Sequence, residues 1–177
     1  MRICEGSFCS LRWRRQYSKN PSDLDRIRQR LDELVAGMDV AARLKGDPVE
    51  FAHDFEAPGD QEIVGLIGAS LAFGNALAAR RSIEKLLAAL GPEPAAAAQT
   101  LDPPEMRRRL RGFAHRIYTG DHLAHLLVRA GALQREHGSI GNAFAAHHGK
   151  TGGDFRESLA RLADDLRGRA RSRSARH

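Results

Sequence analysis

Helical periodicity is the feature of this sequence that most constrains its fold. Apolar residues recur every three or four positions through one segment after another, which is the spacing of a single helix face. The residue choice agrees, because 27 Ala and 20 Leu stand against 7 Ile, 5 Val and 3 Thr, the β-branched residues that favour strands. The sequence therefore predicts an all-α fold, a compact domain of several helices.

Glycine and proline divide this pattern into separate helices. Ser22 is the predicted N-cap of the first helix, and a loop around Gly46 and Pro48 follows it. Six apolar residues lie on one stripe of that helix: Leu24, Ile27, Leu31, Leu34, Val35 and Met38. A short apolar segment around Phe51 then leads into the next helix.

The second predicted helix is apolar nearly all round, which places it at the centre of the domain. We expect Asp60 to be its N-cap and Gly74 to end it just after Phe73. Gly65 and Gly68 cost helix propensity, which is tolerable where small side chains let another helix approach closely. Both glycines are therefore expected at a close packing contact.

Further helices follow along the chain. Asn75 is expected to begin one that ends at Gly91. Residues 93–102 form either a short helix or a surface connector, because four consecutive alanines have helix propensity but no pattern. The remaining helices are expected to start near Pro104, Gly120, Ser139 and Asp154.

Charge is distributed unevenly. The chain carries a net charge of +6, but residues 1–20 contribute +4 and residues 167–177 contribute +5, which leaves −3 for the residues between them. We therefore predict a basic, disordered leader at 1–20, a helical domain at 21–166 and an Arg/Ser-rich disordered tail at 167–177. Such basic ends bind phosphates through counterion release, or are simply solvated.

Composition narrows the class of protein. The longest apolar run, Ile63 to Phe73, falls short of the roughly 20 residues that a bilayer span needs, so no membrane partner is expected. Cys4 and Cys9 are the two cysteines, and they support neither a disulfide framework nor a four-ligand zinc site. We expect a cytoplasmic protein without a cofactor.

Two patterns imitate ligand sites. His122 and His125 lie on one helix face, but without a third ligand at fixed spacing they predict no metal site. Residues 149–151 read Gly-Lys-Thr, like the end of a phosphate-binding loop, yet Phe144 occupies the position of the glycine that such a loop needs first. Neither pattern predicts a bound ligand.

General acid–base chemistry could use Asp47, Asp60 or Glu62 together with His53, all near the start of the central helix. Carboxylates and imidazoles are the groups that most often move protons in enzymes. Helix capping and loop hydrogen bonds explain Asp60 and Glu62 equally well. We therefore favour a structural role for these two carboxylates over a catalytic one.

Five sequence blocks occur in the order of a known family. They are Asp47-Pro48-x-x-Phe51-x-His53-x-Phe55, Asp60-x-Glu62-Ile63-x-Gly65, Ala69-x-x-Ala72-Phe73-Gly74-Asn75, Phe113-x-His115-Arg116-x-Tyr118-x-Gly120 and His137-Gly138-Ser139. Together they resemble an uncharacterised bacterial family catalogued as domain of unknown function twenty-four hundred. The resemblance runs from about Leu31 to Leu166 and implies no particular reaction, because that family has no established activity.

The order of elements also looks like the opening half of the helix-hairpin-helix DNA glycosylase fold. Longer family members continue with a Gly-Ser-x-x-Lys-Arg block and a Pro-Leu-Asp-x-His block, and this sequence contains neither. After Leu166 it passes into the Arg/Ser tail, so we predict a truncated copy without independent catalysis. An incomplete domain would leave an apolar face exposed, which predicts self-association.

Three hypotheses for function follow, and we favour them in this order. The first is a helical scaffold whose motif residues are structural: Asp47, Pro48, Gly65, Gly74 and Asn75. The second is a DNA-associated domain with six arginines contacting phosphates: Arg80, Arg81, Arg107, Arg108, Arg109 and Arg116. The third is a base-excision type of enzyme in the complete family, as the glycosylase resemblance implies, with its site lined by His53, Asp60, Glu62 and His115.

Overall fold

The computed structural model describes residues 21–168, and the chain divides into two compact units, residues 1–42 and residues 43–177. The predicted leader with Cys4 and Cys9, and the part of the predicted tail beyond Gly168, lie outside the described residues.

Ten helices and one short β-hairpin make up the described part of the chain, which confirms the all-α prediction. In chain order these elements are α1 Pro21–Ala36, α2 Val40–Leu44, α3 Glu50–His53, α4 Pro58–Leu71, α5 Ala76–Leu90, α6 Pro94–Thr100, α7 Pro103–Arg109, β1 Ala114–His115, β2 Tyr118–Thr119, α8 Gly120–His137, α9 Ile140–Lys150 and α10 Phe155–Leu166. Across residues 21–168, none of the helices combines the length and the apolar character needed to cross a bilayer.

The first unit contains α1, a helix of 16 residues. It begins at Pro21, so Ser22 lies in its first turn and the prediction of Ser22 as N-cap is wrong. Proline is favoured at the first helical position because its φ angle is already set for a helix. The apolar stripe of this helix is exposed, with Leu24 at 56% and Leu34 at 65% of full exposure. The prediction that Met38 lies on this stripe is wrong, because the helix ends at Ala36.

In the second unit α4 lies at the centre, as the sequence predicts. Ile63, Val64, Ile67 and Leu71 are fully buried, and α4 packs against α3, α5, α6 and α8. The helix begins at Pro58 with Ala57 as N-cap. The prediction of Asp60 as N-cap is therefore wrong, because proline has already started the helix two residues earlier.

Only one of the two glycines predicted to mark a close contact on α4 does so. A Cβ atom at Gly68 would lie 3.2 Å from the carbonyl oxygen of Pro48, so the loop before α3 packs directly on this position. At Gly65 nothing lies within 4 Å of such an atom, and the prediction for Gly65 is wrong. Asp47 shapes the same loop by accepting the Val49 amide at 2.9 Å.

The break between α4 and α5 agrees with the sequence prediction. Gly74 has a φ of +86°, a conformation that side chains other than hydrogen disfavour. Asn75 then caps α5, because its side-chain oxygen accepts the amide of Ala78 at 3.1 Å.

Residues 93–102 contain a helix rather than only a connector. Ala95, Ala97 and Ala98 of α6 are buried, and α6 packs along α8. The two backbones approach so closely that a Cβ atom at Gly131 would collide with the carbonyl of Ala98. The alanine run therefore supplies small side chains at a tight helix–helix contact.

The last two helices form a hairpin. Asp154 caps α10 by accepting the Glu157 amide at 2.8 Å, as predicted. His147 of α9 lies 2.6 Å from the Asp165 carboxylate of α10 through its Nε2 atom. The contact between His147 and Asp165 joins α10 to α9, along which it packs.

Candidate functional site

The most basic segment of the second unit borders a polar cleft of about 370 Å³, which we call the Arg cleft. Its lining comprises Pro104, Arg107, Arg108, Leu110, Arg111, Gly112, Phe113, Thr119, Gly120 and Asp121. Residues 104–113 of this lining belong to α7 and the turn after it, and Gly120 and Asp121 lie in the first turn of α8. The cleft thus combines three cations with a helix N-terminus.

The sequence brings these two segments together through small residues and a cap. Asp102 starts α7 by accepting the Glu105 amide at 2.7 Å. Gly120 lies so close to the carbonyl of Leu110 that a Cβ atom could not be accommodated there. The Gly120 amide also donates to the carbonyl of Phe113 at 3.0 Å. The end of α7 is therefore held against the start of α8.

The arginines around the cleft differ in what they contact. Arg108 forms an ion pair with Glu105, and Arg109 Nε lies 3.3 Å from the same carboxylate. Arg107 and Arg111 are exposed and line the cleft. With Asp121 as the acidic residue in the lining, the three arginines leave the cleft positively charged.

The β-hairpin next to the cleft joins two of the sequence blocks. Arg116 lies over the ring of Phe73, with its guanidinium carbon 5.6 Å from the ring centroid. Gly74 leaves the room for this contact, because a Cβ atom there would lie 2.6 Å from Arg116 Nη1. Tyr118 meets Phe73 edge-on at 5.7 Å between centroids. The sequence analysis did not predict this cluster, which depends on contacts across about forty residues.

His115 is buried within this cluster, with 5% of its surface exposed. Its Nδ1 atom lies 2.9 Å from the hydroxyl of Ser82 on α5, and its ring meets Phe73 edge-on at 5.1 Å. Both contacts serve to seat the hairpin on α5 and on the α4–α5 break.

Arg80 and Arg81 of α5 have different surroundings. Arg80 Nη1 lies 2.5 Å from the carboxylate of Glu50, and its guanidinium lies over Phe51 at 5.0 Å from the centroid. The pKa of Glu50 is lowered from its usual value, most strongly by a hydrogen bond from the Gly46 amide and next by Arg80. Arg80 is therefore engaged within the fold, whereas Arg81 is exposed.

The predicted acid–base residues have separate partners. Asp60 accepts the Ala95 amide at the start of α6 at 2.7 Å. Glu62 accepts the Ile140 amide at 2.8 Å and the Gly141 amide at 2.9 Å at the start of α9. Each carboxylate thus caps a helix distant in sequence. The other two predicted site residues are His53, which is exposed, and His115, which is buried. The contacts observed for these four residues do not join them in one site.

The two helical histidines are used in capping. The Thr119 amide donates to Nδ1 of His122 at 3.2 Å, and His125 Nε2 lies 3.2 Å from the Arg167 carbonyl at the end of α10. Within residues 21–168, no three His, Cys, Asp or Glu side chains are grouped as metal ligands would be.

Arg111 and Thr119 line the Arg cleft with polar side chains and were not among the predicted phosphate contacts. Arg111 continues the basic run after Arg109, and that run was the signal that could have identified it. Thr119 reaches the cleft only because the hairpin folds back onto the end of α7. No local pattern in the sequence indicates that arrangement.

Comparison with known proteins identifies a family. A family model described as Protein of unknown function (DUF2400) matches residues 47–177. A search of curated proteins and a search of solved structures found no match. The matched range begins at Asp47, so residues 31–46, which the motif resemblance includes, lie outside it. Because the match covers most of the sequence, and the motif blocks from Asp47 onward lie within it, the chain belongs to this family of unknown function.

Proposed function

We propose that the second unit binds the phosphate backbone of nucleic acid at the Arg cleft. The observation that carries this proposal is the lining of the cleft, where Arg107, Arg108 and Arg111 face the first turn of α8. Arginine donors and a helix N-terminus are both favourable neighbours for a phosphate group. The cleft is therefore suited to one or two phosphates of a strand.

Charge supports the same proposal. The sequence between the two basic ends sums to −3, so the positive lining of the cleft is a local feature rather than a consequence of overall charge. Each phosphate neutralised by an arginine releases condensed counterions, which makes binding depend on salt. We therefore expect the affinity of the cleft to weaken steeply as salt is raised.

The proposed role is binding rather than chemistry. The carboxylates of Asp60 and Glu62 cap α6 and α9, a use that favours the structural interpretation of these residues. The likeness to glycosylases and the idea of a truncated copy stay predictions from the sequence blocks. Of the six predicted phosphate contacts, Arg107 and Arg108 line the cleft, whereas Arg80 forms a half-buried ion pair with Glu50.

Fluorescence anisotropy tests the proposal. The full chain is titrated against a labelled DNA duplex between about 50 mM and 200 mM salt. For the double variant Arg107→Glu/Arg111→Glu, we expect the affinity to fall at least about tenfold and the slope of log affinity against log salt to fall by about two, one for each lost phosphate contact.

The control changes the same charge elsewhere. Arg171→Glu/Arg173→Glu alters two arginines of the C-terminal Arg/Ser segment and should retain most of the affinity. If this control loses binding while the cleft variant binds like the native chain, binding belongs to the basic end and the proposal fails.

A second proposed function is self-association through an apolar groove between α4, α9 and α10. The groove has a volume of about 420 Å³ and is lined mainly by apolar side chains: Leu66, Ile140, Phe144, Phe155, Leu159 and Leu162. Phe155 is 61% exposed and Leu159 is 46% exposed. The same surface thus offers a recess and a protruding aromatic ring, which is what a two-fold contact between identical copies requires.

Sedimentation velocity over a wide range of protein concentration tests this second function. Native protein should show a concentration-dependent dimer, and Phe155→Ser/Leu159→Ser should remain monomeric. Leu77→Ser removes a similarly exposed apolar group from α5 and should leave the dimer intact. A native chain that stays monomeric throughout would refute self-association by this groove.

A further inference from the structure

We infer that Ile117, at the tip of the β-hairpin, is the residue with which this protein probes base stacking in a bound duplex. This inference rests on the proposed binding of nucleic acid at the Arg cleft. It adds a specificity-determining residue to that function, because backbone contacts alone carry no information about the bases.

The first argument is the chemistry of the hairpin turn. His115 pairs with Tyr118, so the turn consists of Arg116 and Ile117 alone. Two-residue hairpin turns favour glycine or asparagine wherever a central residue has a positive φ angle. Arg116 has a φ of +53°, so it departs from that local preference, and Ile117 beside it is a large apolar residue that is 74% exposed. Such departures are expected at functional positions.

The second argument is that the turn is held rigidly. Arg116 lies over Phe73 at 5.6 Å, and Gly74 leaves the space for its guanidinium. Below the turn, buried His115 contacts Ser82 at 2.9 Å, and Tyr118 meets the edge of Phe73. An apolar tip supported in this way loses little freedom when it is pressed against a ligand.

The third argument is the distance between the tip and the Arg cleft. Thr119 lines the cleft and lies two residues after Ile117, so their Cα atoms are at most about 7 Å apart. The tip therefore adjoins the Arg cleft, and a duplex whose phosphates are held by Arg107 and Arg111 would lie beside Ile117.

The chemistry of the tip defines the expected ligand. Apolar side chains, isoleucine among them, act as wedges between base steps in proteins that bind the minor groove. A wedge is accommodated most easily where stacking is already weak, as at a mismatched base pair. The structure therefore assigns to Ile117 a preference for a duplex that contains a mismatch over the same duplex fully paired.

The experiment compares two duplexes that differ in one base pair and carry 2-aminopurine beside it. The full chain should bind the mismatched duplex about fivefold or more tightly and should raise the fluorescence of the 2-aminopurine on binding. In Ile117→Ser both effects should disappear, while the affinity for the paired duplex stays within about twofold. Ile117→Leu, which keeps an apolar tip, should retain both.

The control is Leu77→Ser, which removes another exposed apolar residue and should behave like the native chain. Binding to both duplexes with equal affinity, with no effect of Ile117→Ser, overturns the inference but leaves binding at the Arg cleft intact. Loss of affinity for both duplexes in Arg107→Glu/Arg111→Glu confirms the cleft independently. Failure of the native chain to bind either duplex overturns both proposals.

Discussion

The carboxylate of Glu62 accepts the backbone amide of Ile140 at 2.8 Å, so the central helix supplies a cap to a helix that begins 78 residues further along the chain. The Gly141 amide donates to the other carboxylate oxygen at 2.9 Å, and the side-chain amide of Gln134 donates at 3.1 Å. A negative charge is favourable beside the exposed amides of a helix N-terminus. Glu62 therefore links α4, α8 and α9.

Replacing Glu62 with Ala should destabilise the second unit. The change leaves the two amides of α9 without their acceptor and removes one of the two acceptors of the Gln134 side-chain amide, which keeps the Gly59 carbonyl. Together these losses should cost about 2 kcal/mol. For a chain of this length the midpoint of thermal unfolding should fall by about 4–8 °C, measured by circular dichroism. Glu136→Ala, at an exposed site on α8, is the control and should leave the midpoint nearly unchanged. Equal midpoints for the two variants would contradict the capping role.

Glu62 and Asp60 also show what the sequence can and cannot predict. Helical period and the Gly74-Asn75 break are local signals, and they correctly predict α4, α5 and the division between them. Asp60 is locally indistinguishable from an N-cap, yet its acceptor oxygen serves Ala95, 35 residues away. Partners at such separations are fixed by packing, which a local pattern does not encode.

The Arg cleft, too, could be predicted from the sequence only in part. The basic run that contains Arg107 and Arg108 is evident in the sequence, and so is its position after Pro104. That run becomes one wall of a cleft because Gly120 lies against the carbonyl of Leu110. The sequence around Gly120 does not indicate this contact. Gly65 and Gly68 illustrate this too, because both lie on α4 and only Gly68 meets a neighbouring backbone.

A pair of glycine substitutions should give opposite changes in stability. Gly131→Ala places a methyl group into the carbonyl of Ala98, a backbone group that cannot move aside, so it should destabilise the protein by about 3 kcal/mol. Gly65→Ala adds a methyl group in open space within a helix and should stabilise it by about 0.5–1 kcal/mol. Urea unfolding measures both free energies. A destabilising Gly65→Ala would show that α4 has a neighbour at that position.

Replacing Gly74 with Ala should cost more than the same change at Gly152. Both glycines have positive φ, +86° and +65°, so each alanine carries a backbone cost of about 1–2 kcal/mol. At Gly74 the methyl group also displaces the guanidinium of Arg116, whereas nothing lies within 4 Å at Gly152. The additional loss of stability at Gly74 should be about 1 kcal/mol, the cost of disrupting a cation–π contact. This additional loss should vanish when Arg116→Ala is already present. An excess that persists in that background would place its cause elsewhere.

The ion pair of Glu50 with Arg80 should make stability depend on pH in a defined direction. The Gly46 amide and Arg80 hold the pKa of Glu50 below its usual value, so the carboxylate stabilises the folded state. This contribution is complete above the pKa that Glu50 has in the unfolded chain, and it is lost as pH falls through the lower pKa of the folded state. The stability difference between the native chain and Glu50→Gln should therefore narrow on acidification.

Urea unfolding at a series of pH values measures that difference, and a carbon NMR titration of the Glu50 carboxyl group measures its pKa directly. Arg80→Gln should raise this pKa towards the usual value without restoring it fully, because the Gly46 amide, the larger cause, is still present. Glu136→Gln, which removes an exposed carboxylate from α8, is the control and should show no comparable narrowing of the stability difference. A Glu50 pKa at or above its usual value in the native chain would contradict the ion pair as the source of stabilisation.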